Sequence, residues 1–521
     1  MKKVSFPFLI LIVVFLIAGG SCRQKGNAPG NAGSNIPLDS ALVAPFFNSY
    51  PLLQKYEKDL LVIYRNYDFQ HIWFDEKGIV EFGNSLYSKV KDLEDEGISA
   101  TFPYPAVIDA IFNADKANRL GNADADLMLT SLYLFYVEKV YKGLDSKTTA
   151  SIGWLLPRKK VSYASLLDSI IADPNMLNDE QRILFGQYYK LRDVLKLYRG
   201  IEEKGGWDSI VLDPDLKAYK PNDSAMAIRQ IRERLFISGD LTRDNKSSLY
   251  DPELVAAVKK YKARNGFLPD SLIKPELILS MNVPVSERIK IIVINMERCR
   301  WISPEIFNSK EYIFVNIPSY KMVLIREGKP EFGSPVVVGE SMTQTVIFAG
   351  KLSYIVFSPY WNVPESIIES EVKPGMEKNK NYLDAHHMEW NNGQVRQKPG
   401  KNNSLGLVKF MFPNSNNIYL HDTPSKSLFK KENRALSHGC VRVARAKDLA
   451  YTLLEDDETW TPQKIDQAMN AGKESNYTLK RKIPVYIGYF TAWVGESGEL
   501  NFYKDIYERD ERLAKLLIYK D

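Results

Sequence analysis

Residues 418–445 read IYLHDTPSKSLFKKENRALSHGCVRVAR, and the reading of the chain starts there. His421 closes a short apolar run with strand character. After 15 intervening residues comes Ser437-His438-Gly439-Cys440, followed by Val441, Arg442 and Val443. A cysteine attacks as its thiolate, so it needs a base nearby and a third group to orient that base. His421 can be that base if the intervening loop folds back. Gly439 lets the backbone turn so that the N–H groups of Gly439 and Cys440 converge on one spot, which would make an oxyanion hole. Between His421 and Lys447 seven Lys and Arg residues face two Asp and Glu. A basic surround of that kind is expected to lower a thiol pKa, and it suits a substrate carrying carboxylates.

Plainer readings of these residues carry less weight. A lone cysteine is often a buried structural thiol, but not usually inside Ser-His-Gly-Cys with a spaced histidine partner. His421, His438, Cys440, His386 and His387 lack a paired Cys-x-x-Cys or closely spaced His-His unit, so no metal site is expected. His386 and His387 read as solvated loop residues. Cys299 and Trp301 read as core.

Outward from the motif, the flanking sequence has strand character. Short apolar runs at 290–295, 312–317, 321–326, 334–339, 354–357, 407–412, 418–420 and 483–489, separated by turn residues, predict an antiparallel β domain. Residues 375–406 are polar with little β signal and read as an inserted loop or lid. Residues 448–455 read as a helix. Upstream, Ile228, Ile231 and Leu235, then Leu254, Val258 and Tyr261, fall at helical spacing with Gly239 and Gly266 as stops. That is the pattern of a small helical binding module over 223–282, with 205–222 as a Gly/Asp/Pro-rich linker. Residues 46–210 read as mostly helical from Leu60, Ile63, Tyr64 and from Leu86, Val90, Leu93, and carry no catalytic cluster. His71 reads as packing or surface.

At the N-terminus, Lys2 and Lys3 precede an apolar stretch over 4–17, the form of a secretory signal peptide in residues 1–21. Residues 18–22 (AGGSC) resemble a bacterial lipobox, with Cys22 as the lipidated residue and 22–45 as a flexible tether. The whole chain has 521 residues, 45% hydrophobic and 26% charged, with a net charge of +5. These values exclude a disordered, collagen-like or polytopic membrane chain, and nothing indicates nucleic-acid binding. Three cysteines cannot build a disulfide framework.

A spaced histidine followed by Ser-His-Gly-Cys resembles the L,D-transpeptidases of bacterial cell walls. Residues 358–365 (SPYWNVPE), Asn295-Met296-Glu297-Arg298 and Trp301 resemble other stretches of that family's large subfamily. The resemblance covers roughly residues 46–510. It implies an α+β multidomain chain: a helical scaffold domain (46–210), a three-helix peptidoglycan-binding-like module (220–285) and a mostly β catalytic domain (289–510) with a capping insert at about 375–412. By the same resemblance Cys440 is the nucleophile and His421 its base, oriented by the backbone carbonyl of Asp422. Ser437, His438 and Gly439 line the site, and Tyr360 and Trp361 line the substrate channel; Arg442, where many members have Asn, is read separately as a contact to a substrate carboxylate. The implied reaction releases D-Ala from a donor tetrapeptide stem and joins it to an acceptor stem as a 3→3 crosslink, with no metal or nucleotide cofactor. Acylation by carbapenems is implied as well. The implied location is the periplasmic face of an envelope membrane. The alternatives are a non-enzymatic lipoprotein that tethers membrane to wall, or a carboxypeptidase using water as acceptor. A stem-trimming cysteine peptidase fits less well, because His421 precedes Cys440 in the chain.

Overall fold

The structure is a computed structural model. It describes residues 36–75, 78–113, 122–158, 162–173, 183–303, 306 and 309–518. The expected signal peptide and Cys22 lie outside these residues. Among the described residues no helix is long and apolar enough to cross a membrane.

The C-terminal domain is built on a sheet that closes on itself. Its strands run in the order Val408–Met411, Leu420–His421, Val441–Val443, Lys329–Gly339, Lys321–Arg326, Glu311–Asn316, Ser475–Gly488 and Ile347–Phe357, and the last pairs again with the first. Apolar side chains on these strands, such as Met322 and Leu324 at alternate positions of 321–326, fill the interior. Two pairings depart from the antiparallel expectation. Leu420–His421 runs parallel to Val441–Val443, and Ser475–Gly488 runs parallel to Glu311–Asn316. A parallel pair needs a crossover connection, which residues 422–440 supply for the first.

Residues 290–295 are not a strand. They lie inside the helix Val285–Arg300, ten of whose residues are buried. A helix covered on nearly all sides shows the continuous apolar run of a buried strand, and composition cannot separate the two over six residues. The expected linker is also packed. Ile210 is buried, its N–H donates to Asn282 Oδ1 (2.8 Å), and Trp207 Nε1 donates to the Val283 carbonyl (3.0 Å). The end of the expected tether is folded too. Leu38 and Val43 are buried, and Asp39 caps the turn that leads into the helix Val43–Ser49.

The module at 210–281 has its own core around Ile228, Ile231, Leu254, Val258 and Ile278, carried by helices Met226–Ile237, Pro252–Arg264 and Pro275–Met281. The scaffold helices and the β domain, in contrast, share one continuous apolar core. The strand Trp154–Leu155 even extends the main sheet, pairing parallel with Ile347 and Phe348.

The insert is a folded unit rather than a polar loop, and it starts earlier than expected. Strands Trp361–Asn362, Gln394–Gln397 and Met388–Asn391 form a small sheet of their own. Val363, Ile367, Ile368, Val372, Met388 and Val395 form its core. Residues 408–411, expected as its last part, belong to the main sheet.

Candidate active site

The parallel register pairs Leu420 with Val441 and His421 with Arg442. Alternation along each strand then puts Tyr419, His421, Cys440 and Arg442 on the same face, with Cys440 diagonal to His421. On the other side of His421, Lys409 is its antiparallel partner. Lys409, His421 and Arg442 therefore form one row across three strands.

His421 is buried, and its Nδ1 lies 2.5 Å from the Asp422 carbonyl oxygen. A carbonyl can only accept, so Nδ1 carries the proton and Nε2 keeps a free lone pair. Asp422 is itself held. Its N–H donates to the Val408 carbonyl (2.9 Å), and its carboxylate accepts from the Leu407 N–H (3.0 Å) and from Lys426 Nζ (2.6 Å). Gly406, at φ +63°, sits so close to this carboxylate that a Cβ would lie 2.3 Å from Asp422 Oδ2. Burial, then Arg442 and Lys409, push the imidazole down to about 3, against the carbonyl that favours its charged form.

Cys440 is half-buried, and its thiol donates to the Asn417 carbonyl at 3.6 Å rather than to His421. Burial pushes the thiol above its usual value, opposed by hydrogen bonds from the backbone and hydroxyl of Tyr419 and more weakly by Arg442. The expectation that the basic surround lowers the thiol is thus corrected. The lysines in the 422–447 stretch are exposed, and Lys426 is paired with Asp422; Arg442 acts on both Cys440 and His421, and burial outweighs it at the thiol.

The turn before Cys440 is tied down at each residue. Ser437 Oγ donates to the Cys440 carbonyl (2.6 Å) and accepts from the Gly439 N–H (3.3 Å). Thr345 Oγ1 donates to the Gly439 carbonyl (2.8 Å), and Thr343 Oγ1 to that of Ser437 (3.0 Å). Gly439 has φ +112°, which a residue with a Cβ rarely adopts. Because Ser437 holds the Gly439 N–H, that group is not free as the expected oxyanion donor. The Cys440 N–H has no acceptor among the described residues. His438 is half-exposed, with Nε2 3.7 Å from Glu371 of the insert.

Residues 310–467 match the model of the YkuD L,D-transpeptidase catalytic domain, and residues 58–195 match that of the Scaffold domain. The stretch that holds Cys440 and His421 is thus similar to the L,D-transpeptidase catalytic domain. A candidate L,D-transpeptidase of Haemophilus influenzae is 35% identical over 259 residues. The match spans 45% of this chain and only 52% of that protein. Among solved structures, an L,D-transpeptidase from Mycobacterium smegmatis is 10% identical over 34% of this chain and 58% of its own, with a TM-score of 0.20. One from Stackebrandtia nassauensis is 16% identical over 52% of this chain and 97% of its own, also at 0.20. At those scores the structural likeness decides nothing.

Within residues 310–467 the sheet brings Cys440, His421, Asp422 and Arg442 together, while the aromatic pair sits with the insert. Trp361 packs on the core of the insert and pairs with Gln397. Tyr360 lies under Arg396 (4.1 Å from the ring centroid), and its N–H is held by Glu474 (2.8 Å). Arg442 is half-buried and its Nε has no hydrogen-bond partner among the described residues, an opening for an anion. Sequence reasoning missed Tyr419, Lys409, Thr343 and Thr345. Tyr419 was within reach, since it stands two places before His421 and strand alternation puts it on the same face. The other three arrive from distant strands and loops and leave no local signal.

Proposed function

We propose that this protein is a cell-wall L,D-transpeptidase working through an acyl-enzyme on Cys440. The observation that carries the reading is the parallel pairing of Leu420–His421 with Val441–Val443, with His421 Nδ1 committed to the Asp422 carbonyl. A thiol with a raised pKa beside an imidazole with a lowered one rests as the neutral pair. In this reading the thiol swings from Asn417 toward Nε2 when substrate enters. The thiol proton passes to Nε2 as sulfur attacks the carbonyl before the terminal D-Ala of a tetrapeptide stem. The Cys440 N–H stabilises the oxyanion. The C–N bond then breaks, D-Ala leaves with the proton from His421, and a thioester remains. The side-chain amine of residue 3 on a second stem attacks that thioester and forms the 3→3 crosslink. Arg442 receives a donor carboxylate. The enzyme would work on the periplasmic side of an envelope membrane, anchored through Cys22.

The test is mass spectrometry of the protein incubated with a carbapenem. A covalent adduct is expected on Cys440, absent from Cys440→Ala. Tetrapeptide pairs should then give 3→3 dimers. A folded wild-type protein that stays unmodified and makes no dimer overturns the reading.

A further inference from the structure

A cavity of about 1040 Å³ lies between the helical module and the catalytic domain. Phe267 and Leu268 of the module form one wall; Tyr320, Lys321, Glu340 and Arg434 are among the residues of the other. The walls are held at fixed spacing, because the Leu268 N–H donates to Glu432 of the catalytic domain (3.1 Å) and Arg264 of the module donates to the Leu500 carbonyl (3.0 Å). One end of the cavity is lined by Ala435 and Leu436, directly before Ser437 of the nucleophile turn. Glu340 belongs to that end as well. Its N–H donates to the Ser437 carbonyl (2.9 Å), and its charge reaches Arg442.

The groove carries both signs: Lys321, Lys431, Arg434 and Lys504 alongside Glu340, Glu432, Asp505 and Glu508. Among the described residues Arg434 forms no ion pair, and Lys321 feels Glu499 only through space. Arg434 is half-buried on the Tyr320 ring (5.2 Å); among the described residues its Nε has no partner, and its guanidinium donates to the Phe429 carbonyl at 3.5 Å. Each cation is held below its usual pKa, first by the surrounding protein, and Lys321 further by Arg434. A second positive charge beside a partly desolvated arginine is unfavourable unless an anion joins them. Glu340, whose N–H is bonded to the nucleophile turn, offers the opposite sign there.

We propose that this groove is the acceptor site: it binds a second peptide stem by a carboxylate on Arg434 and Lys321 and directs the stem's amine past Glu340 toward Cys440. The inference rests on the transpeptidase reading above and gives it a second substrate site, outside the capping insert. In the step it serves, the amine nitrogen bonds to the acyl carbon and the C–S bond breaks. The proton given up by the amine returns through His421 to the sulfur of Cys440. The module then acts as one wall of the site, and not only as an anchor to the wall polymer.

The experiment separates the two half-reactions in the full protein, comparing wild type with Arg434→Gln and Lys321→Gln. D-Ala release from the donor and carbapenem acylation are expected to stay unchanged. The acceptor KM should rise roughly tenfold or more, as for loss of a charge-assisted bond, and more of the acyl-enzyme should end in hydrolysis. An acceptor with its carboxylate amidated should be poor for wild type and no worse for Arg434→Gln. Leu268→Trp, an exposed change on the module wall, should give the same split by narrowing the groove. An unchanged acceptor KM in all three variants overturns the proposal, as does an equal fall in acylation and transfer. A wild-type protein that never acylates is a different result and overturns the transpeptidase reading itself.

Discussion

Burial and the row formed with Arg442 and Lys409 hold His421 at about 3, against an ordinary value of 6.5. On acidification below about 6.5 the unfolded chain therefore takes up a proton that the native state refuses. The folded state loses stability as pH falls from there toward 3. Between pH 7 and 5 this single group should cost about 2 kcal/mol, and His421→Asn should remove that part of the slope. Urea unfolding of both proteins at the two pH values measures it; parallel losses would refute the assignment. Histidine 15N shifts at pH 6 should likewise show a neutral ring protonated on Nδ1. At this scale the chemistry was legible, because a nucleophile, a spaced base and a left-handed glycine are set by residue type and spacing. The direction of the cysteine's pKa was not. Charge counted along the chain ignores that Lys426 is engaged by Asp422 and that the burial of Cys440 outweighs the cations.

Among elements, the parallel pairing of Leu420–His421 with Val441–Val443 does the most for the site. An antiparallel hairpin over the same segments would have set a different register and parted His421 from Cys440. The strands were mostly legible from short β-branched runs, and the helices of the module from their spacing. The insert was not, since its apolar residues are too few and too scattered to show a period. Its core of six buried side chains is small, so each counts. Val395→Ala should loosen it by about 1–3 kcal/mol and raise proteolytic cutting within 361–405, while thermal unfolding of the rest stays in place. Cutting that spreads beyond this span would show that the insert does not fold as its own unit. His438 and Glu371 are the contact through which such loosening reaches the nucleophile turn.

Over the whole molecule, the helix Val285–Arg300 joins scaffold to sheet. Glu297, buried, accepts from the Leu144 N–H (2.6 Å), Trp301 Nε1 (2.8 Å) and Arg300 (2.9 Å). Arg300 in turn donates to the carbonyls of Val140 (2.9 Å) and Glu96 (2.7 Å). Removing one member of a buried ion pair strands the other. Glu297→Ala should cost about 3–5 kcal/mol, and calorimetry should show scaffold and catalytic domain shifting together in one transition. Separate transitions would mean that the shared core does not couple them. The sequence by itself determined the residue types of the site, the helical or strand character of most segments and the separate core of the module, because each rests on spacing within one segment. Only the tertiary structure decided that residues 290–295 are helical, that scaffold and β domain share a core, and that burial outweighs the nearby Arg442 at Cys440. Those outcomes depend on which surfaces meet and how much water they exclude, and no local stretch of chain encodes that.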